Sequence, residues 1–273
     1  MHILYHENSR KEPYNPQEDA YANNASIFVV ADGVTHDKDA NGIYPIPSDS
    51  AKVAQIICEE VLKYLSEKQP NLENIKQAYI EANKIVQQYN QSRPLFKDRE
   101  NNGYTIGAAA SSVVCITGNK LLYGVLDDCF ISVFSADYQD HPMLRSYVEQ
   151  SAKILDSNYD WSKPETRKLW RKEIRNNVYL HDGKEYGYGI IDGREGFIKY
   201  LQLGEVDLKQ NDLVCVYTDG FIQLLQNMEF VRGIREQEFS GHTFDYIKEY
   251  SEKLDTYKEK TAYNIKQYDT INI

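Results

Sequence analysis

Two apolar stretches of this sequence end on the same pair of residues, an aspartate followed by a glycine. The first, IFVVADGVTH at 27–36, places five apolar residues before Asp32 and Gly33, and the second, DLVCVYTDG, ends on Asp219 and Gly220. Asp-Gly alone is a common turn, and two further copies lie at 182–183 and 192–193 without the preceding apolar run. The fold must therefore accommodate strands that are apolar along their length and acidic at their ends.

Helical periodicity follows the first of these strands. Apolar residues recur at three- and four-residue spacing in 51–68 and again in 72–89, which predicts two amphipathic helices, the first capped by Ser48 or Ser50 and the second by Asn71. Two apolar runs, AAASSVVCIT and LLYGVLDDCFISVF, are joined by Gly118-Asn119, which is a hairpin signal. A helical layer and a covered sheet are therefore expected in the first half of the chain.

The second half contains further strand signals at GYGIID, FIKYLQL and DLVCVYTDG, a helix candidate at HTFDYIKEYSEKL and a terminal strand at YDTINI. Hairpin links without regular strand–helix alternation point to antiparallel sheets covered by helices. No repeat or low-complexity linker divides the chain. We predict an α+β fold, a layered α-β-β-α sandwich of two antiparallel sheets flanked by helices, in a single domain over residues 1–273.

Composition excludes several classes of protein. The 31 basic residues are dispersed and outnumbered by 41 acidic ones, for a formal charge of −10, which argues against nucleic acid as the main partner. The four cysteines include no C-x-x-C pair and read as buried reduced thiols. No signal-peptide core or membrane-spanning run is evident, so we predict a cytoplasmic protein without a membrane partner. Nothing in the sequence indicates an oligomeric state.

Acidic residues at strand ends are the candidates for function. If the strands converge at one rim, Glu18, Asp32, Asp128, Asp219 and Asp269 can share a cleft. Two like charges about 4 Å apart repel by roughly 4 kcal/mol at an effective dielectric near 20, so such carboxylates must protonate, spread apart or bind cations. Oxygen donors without a His or Cys grouping favour Mg²⁺ or Mn²⁺. The alternative is that the acidic excess serves solubility and that Gly33 belongs to an ordinary turn.

Five segments together resemble the metal-dependent protein phosphatases of type 2C, the PPM family. They are, in chain order, NPQEDAY at 15–21, FVVADGV at 28–34, GNKLLYGVLDDCFISVF at 118–134, DLKQNDLVCVYTDGFIQLL at 207–225 and DTINI at 269–273. In the third, Asp128 takes the Asp place and Asp127 the Gly place of the family's Gly-Asp-Ser motif, and a register shift of one would favour Asp127. Each segment alone is a weak signal, and their common order makes the resemblance specific.

The resemblance implies a site for two Mg²⁺ or Mn²⁺ ions and the hydrolysis of phosphoserine and phosphothreonine in phosphoproteins by a metal-activated water. By this resemblance Asp32 would bridge the two ions and would thereby also be a catalytic residue. The Gly33 carbonyl and Glu18 would complete the ligands of one ion, and Asp219 and Asp269 those of the other. Asp128 with Asp219 could hold a weaker third ion. Asp19 orders metal-bound water, with a helix or turn cap as the alternative.

Two positions depart from the family pattern. Tyr14 stands where the family has the arginine that grips phosphate, so Arg10 or Lys11 is expected to bind phosphate instead, although Lys11 also fits a plain surface charge. His36 lies two positions beyond the family's usual histidine and is a candidate general acid, with a loop residue of no chemical role as the alternative.

These departures keep other functions open: a catalytically weak binding or regulatory module on the same fold, or a hydrolase of a small phosphate ester. The segment 137–176 diverges most from the family pattern and is a candidate cap or lid.

Overall fold

The computed structural model describes residues 2–9, 16–37, 41–94, 96–136, 163–236 and 260–266. Eleven strands and six α-helices lie within these ranges. The strands are β1 (His2–Ser9), β2 (Ala20–Asn23), β3 (Ile27–Gly33), β4 (Ala109–Thr117), β5 (Lys120–Leu126), β6 (Cys129–Phe134), β7 (Tyr179–His181), β8 (Lys184–Tyr186), β9 (Gln202–Asp207), β10 (Leu213–Thr218) and β11 (Lys260–Lys266). The α-helices are α1 (Asp49–Ser66), α2 (Leu72–Ser92), α3 (Phe96–Asn101), α4 (Pro164–Leu169), α5 (Ile222–Leu225) and α6 (Met228–Glu236).

The strands form two main antiparallel sheets and one small hairpin. The first sheet has five strands in the order β2-β3-β4-β5-β9, and the second has four in the order β1-β11-β10-β6, while β7 and β8 pair with each other. The Gly118-Asn119 turn joins β4 to β5, so the predicted hairpin is confirmed. Both main sheets are built from antiparallel pairs throughout their described strands.

Strand β3 is apolar along its length because both of its faces are covered. Successive side chains of a strand point to opposite faces. Phe28 and Val30 pack in the core between the two sheets, beside Val214 and Val216 of β10. On the opposite face, Ile27, Val29 and Ala31 pack beneath the helices α1 and α2. The continuous apolar sequence of β3 therefore indicates a strand that is covered on both faces in the middle of a layered structure.

Helices cover the outer face of each sheet, which completes the predicted four layers. Ser48 caps α1 by accepting from the backbone N–H of Ala51 at 3.3 Å, and Asn71 caps α2 by accepting from Asn74 at 2.7 Å, as the sequence predicts. On the other side, α5 and α6 bury their apolar residues against Tyr217, Cys215 and neighbouring residues of β10 and β6. None of the helices in the described ranges is both long and apolar enough to cross a membrane.

Two strand predictions in the second half of the chain are wrong. FIKYLQL begins as a 3₁₀ helix, Glu195–Tyr200, and only Gln202–Asp207 is a strand. Phe197 and Tyr200, three residues apart, both point into the core under α2, and a short apolar run does not distinguish that spacing from a strand. GYGIID makes only isolated bridges, from Tyr188 to Arg175 and from Ile191 to Ala109.

Several predictions fall wholly or partly outside the described residues. These are the helix at 242–254, the strand at 268–273 and the part of the predicted cap from 137 to 162. The rest of the cap region is helical, with α4 continuing into a π-helical segment, Trp170–Ile174. Strand β11, which pairs with both β1 and β10, was not expected from the sequence. All four cysteines are free and buried, as predicted.

A buried polar network holds the segment from Asn176 to Arg194 against α2. The Asp192 carboxylate, 1% exposed, accepts from Arg194 Nη2 at 2.6 Å and from Asn176 Nδ2 at 2.9 Å. On α2, Asn90 donates to the Asp192 carbonyl at 2.9 Å, and Asn83 accepts from the Gly193 N–H at 2.9 Å. The buried polar groups of this region therefore satisfy one another, which fixes the chain from Asn176 to Arg194.

We expect Asp192→Ala to lower the free energy of unfolding by about 3 kcal/mol or more, because it leaves the Arg194 guanidinium and the Asn176 amide without their acceptor. Urea denaturation of both proteins measures the difference. The matched control is Glu205→Ala, which removes the exposed ion pair to Lys120, and should cost less than about 1 kcal/mol. Equal losses in the two variants would contradict the structural role of the network.

Candidate functional site

The ends of several strands meet at one edge of the two sheets. In the first sheet Asp32 pairs with Ala110, and Leu126 at the end of β5 pairs with the adjacent Ser111. In the second sheet Thr218 pairs with Cys129, which places Asp219 next to the turn between β5 and β6. We call the carboxylates at this edge the acidic rim: Glu18, Asp19, Asp32, Asp127, Asp128 and Asp219.

Charge interactions and a hydrogen bond confirm that members of the rim lie near one another. Burial raises the pKa of the Cys129 thiol, and the charges of Asp32, Asp19 and Asp128 raise it further. Asp19, which precedes a strand rather than a helix, accepts from the Thr218 hydroxyl at 2.8 Å. This bond joins the β2 edge of one sheet to the end of β10 in the other. The structure thus places Asp19, Asp32 and Asp128 around Cys129, while the meeting of the full set of carboxylates in one metal site stays a prediction.

Glu18 is held by two hydroxyl groups. Its carboxylate accepts from Tyr44 on one oxygen and from Ser48 on the other, and all three residues are buried. The Tyr44 oxygen also accepts from the backbone N–H of His36 at 2.8 Å. A Cβ atom on Gly33 would lie 2.7 Å from the Glu18 carbonyl oxygen, so a glycine is required for this close approach. Glu18 and Gly33 are thereby fixed beside each other.

Asp127 occupies the turn between β5 and β6 in an unusual environment. Its φ of 59° lies in the left-handed region that glycine adopts readily, in keeping with its Gly place in the family motif. It is 6% exposed, and its Oδ1 atom has no hydrogen-bond partner among the residues that the structure describes. Burial raises the pKa of Asp127 well above its usual value; Asp128 and Asp219 also raise it, whereas Arg175 lowers it. A buried carboxylate of this kind is a signal of a functional site.

The donor set of the rim fits a hard divalent ion by its chemistry. Every side chain in it is a carboxylate, and Asp127 offers a buried oxygen that no described residue contacts through a hydrogen bond. In the described part of the chain, no three His, Cys, Asp or Glu side chains are grouped tightly enough to hold an ion on their own. Asp269, which the resemblance adds to this set, lies outside the described residues, as do Arg10 and Lys11.

His36 is buried rather than open to the cleft. Its Nε2 atom accepts from the backbone N–H of Ser50 at 3.1 Å, so the ring proton resides on Nδ1. Burial lowers the pKa of His36 from 6.5 to about 4, partly offset by the charge of Asp49. A neutral imidazole that accepts a backbone hydrogen bond favours the second interpretation, a residue that shapes the loop rather than a general acid.

Three features near the rim gave no usable signal in the sequence. Tyr44 lies in a loop that is predicted only as irregular. Arg171, in the π-helical segment, is paired with Asp37 at 2.7 Å, and its side chain is only 12% exposed. Burial alone would raise the pKa of Asp37, but Arg171 and hydrogen bonds from Thr105 lower it. Arg175 is also buried, with its Nε atom 2.9 Å from the Tyr188 hydroxyl.

We expect His36→Gln to weaken the loss of stability in acid. The folded protein binds the His36 proton only near pH 4, whereas the unfolded chain binds it near pH 6.5, so stability is lost as pH falls from 6.5 to 4. This shift corresponds to at most about 3 kcal/mol. Urea denaturation at several pH values, for the protein and the variant, measures the difference in slope. His181→Gln, at a more exposed histidine, is the control and should leave the slope unchanged.

Comparisons with known proteins agree with this architecture. The structure of the serine/threonine phosphatase PstP/Ppp of Mycobacterium tuberculosis superposes with a TM-score of 0.65 at 12% identity, covering 97% of this chain and 98% of that chain. The PstP catalytic domain in complex with two manganese ions gives 0.63 at 13% identity, with 97% of both chains covered. Stp1 from Staphylococcus aureus gives 0.65 at 11% identity, covering 98% and 96%. These likenesses show the α+β fold.

No curated protein matches the chain significantly by sequence. A profile of the family described as "Protein phosphatase 2C" matches residues 9–262, which is most of the chain. The match includes four of the five segments on which the resemblance rests. The chain therefore belongs to the protein phosphatase 2C family.

Proposed function

We propose that the protein is a metal-dependent phosphatase that hydrolyses phosphoserine and phosphothreonine in phosphoproteins. The observation that carries the proposal is the convergence of two Asp-Gly strand ends from different sheets, Asp32 and Asp219, on one rim. Family membership supports the phosphoprotein substrate class. The cytoplasmic location, the single domain over 1–273 and the cap at 137–176 stay predictions of the sequence.

Two Mn²⁺ or Mg²⁺ ions are the proposed cofactors. Glu18, Asp32 and the Gly33 carbonyl would hold one ion, and Asp32, Asp219 and Asp269 the other, with Asp128 and Asp219 available for a weaker third. When bound, such ions lower the pKa of a water and neutralise charge on phosphoryl oxygens. The manganese complex of the PstP catalytic domain, which has the same fold, supports this choice of ion.

Hydroxyl groups of the chain would position these carboxylates before any ion binds. Tyr44 and Ser48 hold Glu18, and Thr218 holds Asp19, so each carboxylate has a fixed direction. Such supporting hydrogen bonds orient ligands and tune their affinity. Arg10 and Lys11 remain the proposed phosphate-binding residues of the N-terminal segment. For His36, burial and the bond from Ser50 support a structural role rather than proton transfer.

A binding or regulatory module is the second candidate function. The departure at Tyr14, where the family has the arginine that grips phosphate, favours it, because a site that holds ions but grips phosphate poorly suits binding better than turnover. The two functions differ in turnover, which makes them separable by assay. Cleavage of a small phosphate ester alone would place the protein among hydrolases of small substrates instead.

We expect the protein to hydrolyse a phosphothreonine peptide and an aryl phosphate. This hydrolysis should require Mn²⁺ or Mg²⁺ and should stop when a chelator is added. Asp32→Asn and Asp219→Asn should each lower kcat/KM by about 100-fold or more, because each removes a charge that holds the ions. Asp207→Asn, at the opposite end of the first sheet, is the matched control and should retain full activity. Metal binding without turnover in the unmodified protein would overturn the phosphatase proposal in favour of the binding module.

We also expect Tyr44→Phe to weaken Mn²⁺ binding by about 10- to 100-fold, because Glu18 loses a supporting hydrogen bond. Isothermal titration calorimetry measures the affinity directly, without turnover. Tyr200→Phe is the control: Tyr200 is 6% exposed, as is Tyr44, and its hydroxyl donates to the Asn177 carbonyl rather than to a carboxylate. If both variants bind Mn²⁺ like the unmodified protein, Tyr44 does not position a metal ligand.

A further inference from the structure

Three arginines of the segment 171–194 are largely buried, and their ionic partners differ. Arg171 pairs with Asp37 at 2.7 Å, and Arg194 pairs with Asp192 at 2.6 Å. Arg175, only 5% exposed, has no carboxylate within 4 Å in the described part of the chain. Its Nε atom donates to the Tyr188 hydroxyl, and its Nη atoms donate to no acceptor among the same residues.

The Arg175 side chain is largely withdrawn from water, but its Nη atoms are not among the fully buried atoms that lack a partner, so they still reach solvent. A charge that is partly removed from water is unfavourable unless an opposite charge and hydrogen bonds compensate it. A neutral phenol satisfies one of the five N–H donors of Arg175 and supplies no negative charge. The other two arginines show that this part of the fold compensates buried guanidinium groups with carboxylates. Arg175 therefore keeps N–H donors and a positive charge that an anionic ligand would satisfy.

The backbone places Arg175 next to the acidic rim. The N–H of Asn176, the next residue, donates to the Tyr188 carbonyl at 2.8 Å, and Ile191 exchanges two backbone hydrogen bonds with Ala109. Ala109 in turn pairs with Gly33 at the end of β3. Arg175 is thus connected to the strand ends that form the rim through residues 188–191, and its charge acts on Asp127.

The guanidinium is also held in one place. Tyr188 is 3% exposed and stacks on Trp170, with 4.9 Å between the ring centroids. The Arg175 Cζ atom lies 5.9 Å from the Tyr188 ring centroid, within the range of a cation–π contact. Rigid placement lowers the entropic cost of binding a ligand. An arginine fixed by an aromatic pair is suited to bind an anion with two parallel hydrogen bonds.

We propose that Arg175 binds the phosphoryl group of the substrate, in place of the arginine that Tyr14 replaces near the N-terminus. The ligand class is a phosphate monoester or inorganic phosphate. The inference rests on the proposed phosphatase function. The competing explanation is that Arg175 only compensates the charge of Asp127 across a gap, which is a structural role.

The test compares phosphate binding with stability in Arg175→Gln, Arg175→Lys and the control Arg167→Gln, which removes an exposed charge from α4. Inorganic phosphate is the probe: its dissociation constant is measured by calorimetry with Mn²⁺ present, beside thermal melting and KM for a phosphothreonine peptide. We expect Arg175→Gln to weaken phosphate binding and raise KM by about 10- to 100-fold, since it removes charged hydrogen bonds. Arg175→Lys should recover part of the affinity, and Arg167→Gln should change it less than about twofold.

Unchanged phosphate affinity in Arg175→Gln, with a lowered melting temperature, would establish the structural role and overturn the proposal. If that variant does not fold, Arg175→Lys decides: affinity equal to that of the unmodified protein would overturn the proposal, because lysine cannot reproduce the paired hydrogen bonds. Failure of the phosphatase proposal is recognised separately, as absence of Mn²⁺-dependent turnover in the unmodified protein.

Discussion

The apolar core between the two sheets fixes the position of the acidic rim. Phe28 and Val30 of β3 pack there with Val214 and Val216 of β10, while the opposite faces of both strands lie beneath helices. A slip of one residue would exchange the two faces of a strand, and here the core shape on both sides opposes it. The carboxylate that follows each strand is therefore placed by packing, with no need for a direct contact between Asp32 and Asp219.

The electrostatic balance of the rim is asymmetric. On one side, the hydroxyls of Tyr44, Ser48 and Thr218 orient carboxylates without neutralising them. On the other side, the segment from 171 to 194 brings buried guanidinium groups, held by the Asp192 network and by the Trp170–Tyr188 pair. Among the described residues, Asp127 keeps a buried oxygen without a hydrogen-bond partner, and Arg175 has no carboxylate within 4 Å. Such a mixture of negative and positive charge is the arrangement expected where cations and a phosphoryl group bind together.

Sequence patterns predicted the regular parts of the fold well. The caps Ser48 and Asn71 and the turn at Gly118-Asn119 are local signals, and each lies where expected. FIKYLQL was misassigned because a seven-residue apolar run fits both a strand and a 3₁₀ turn that buries Phe197 and Tyr200. The partner of Arg171 could not be predicted, because helical periodicity does not show that Asp37, 134 residues away in sequence, supplies it.

The sequence by itself determined the four-layer fold and which carboxylates follow buried strands, because both depend on short-range patterns of apolar, turn and capping residues. Only the tertiary structure decided which groups surround those carboxylates. Contacts between separate parts of the chain set these surroundings: Ser50 bonds to the buried His36, Tyr44 to Glu18 and Arg175 to Tyr188. Burial and partner distance set the energy of a charged group, and neither quantity is encoded in local periodicity.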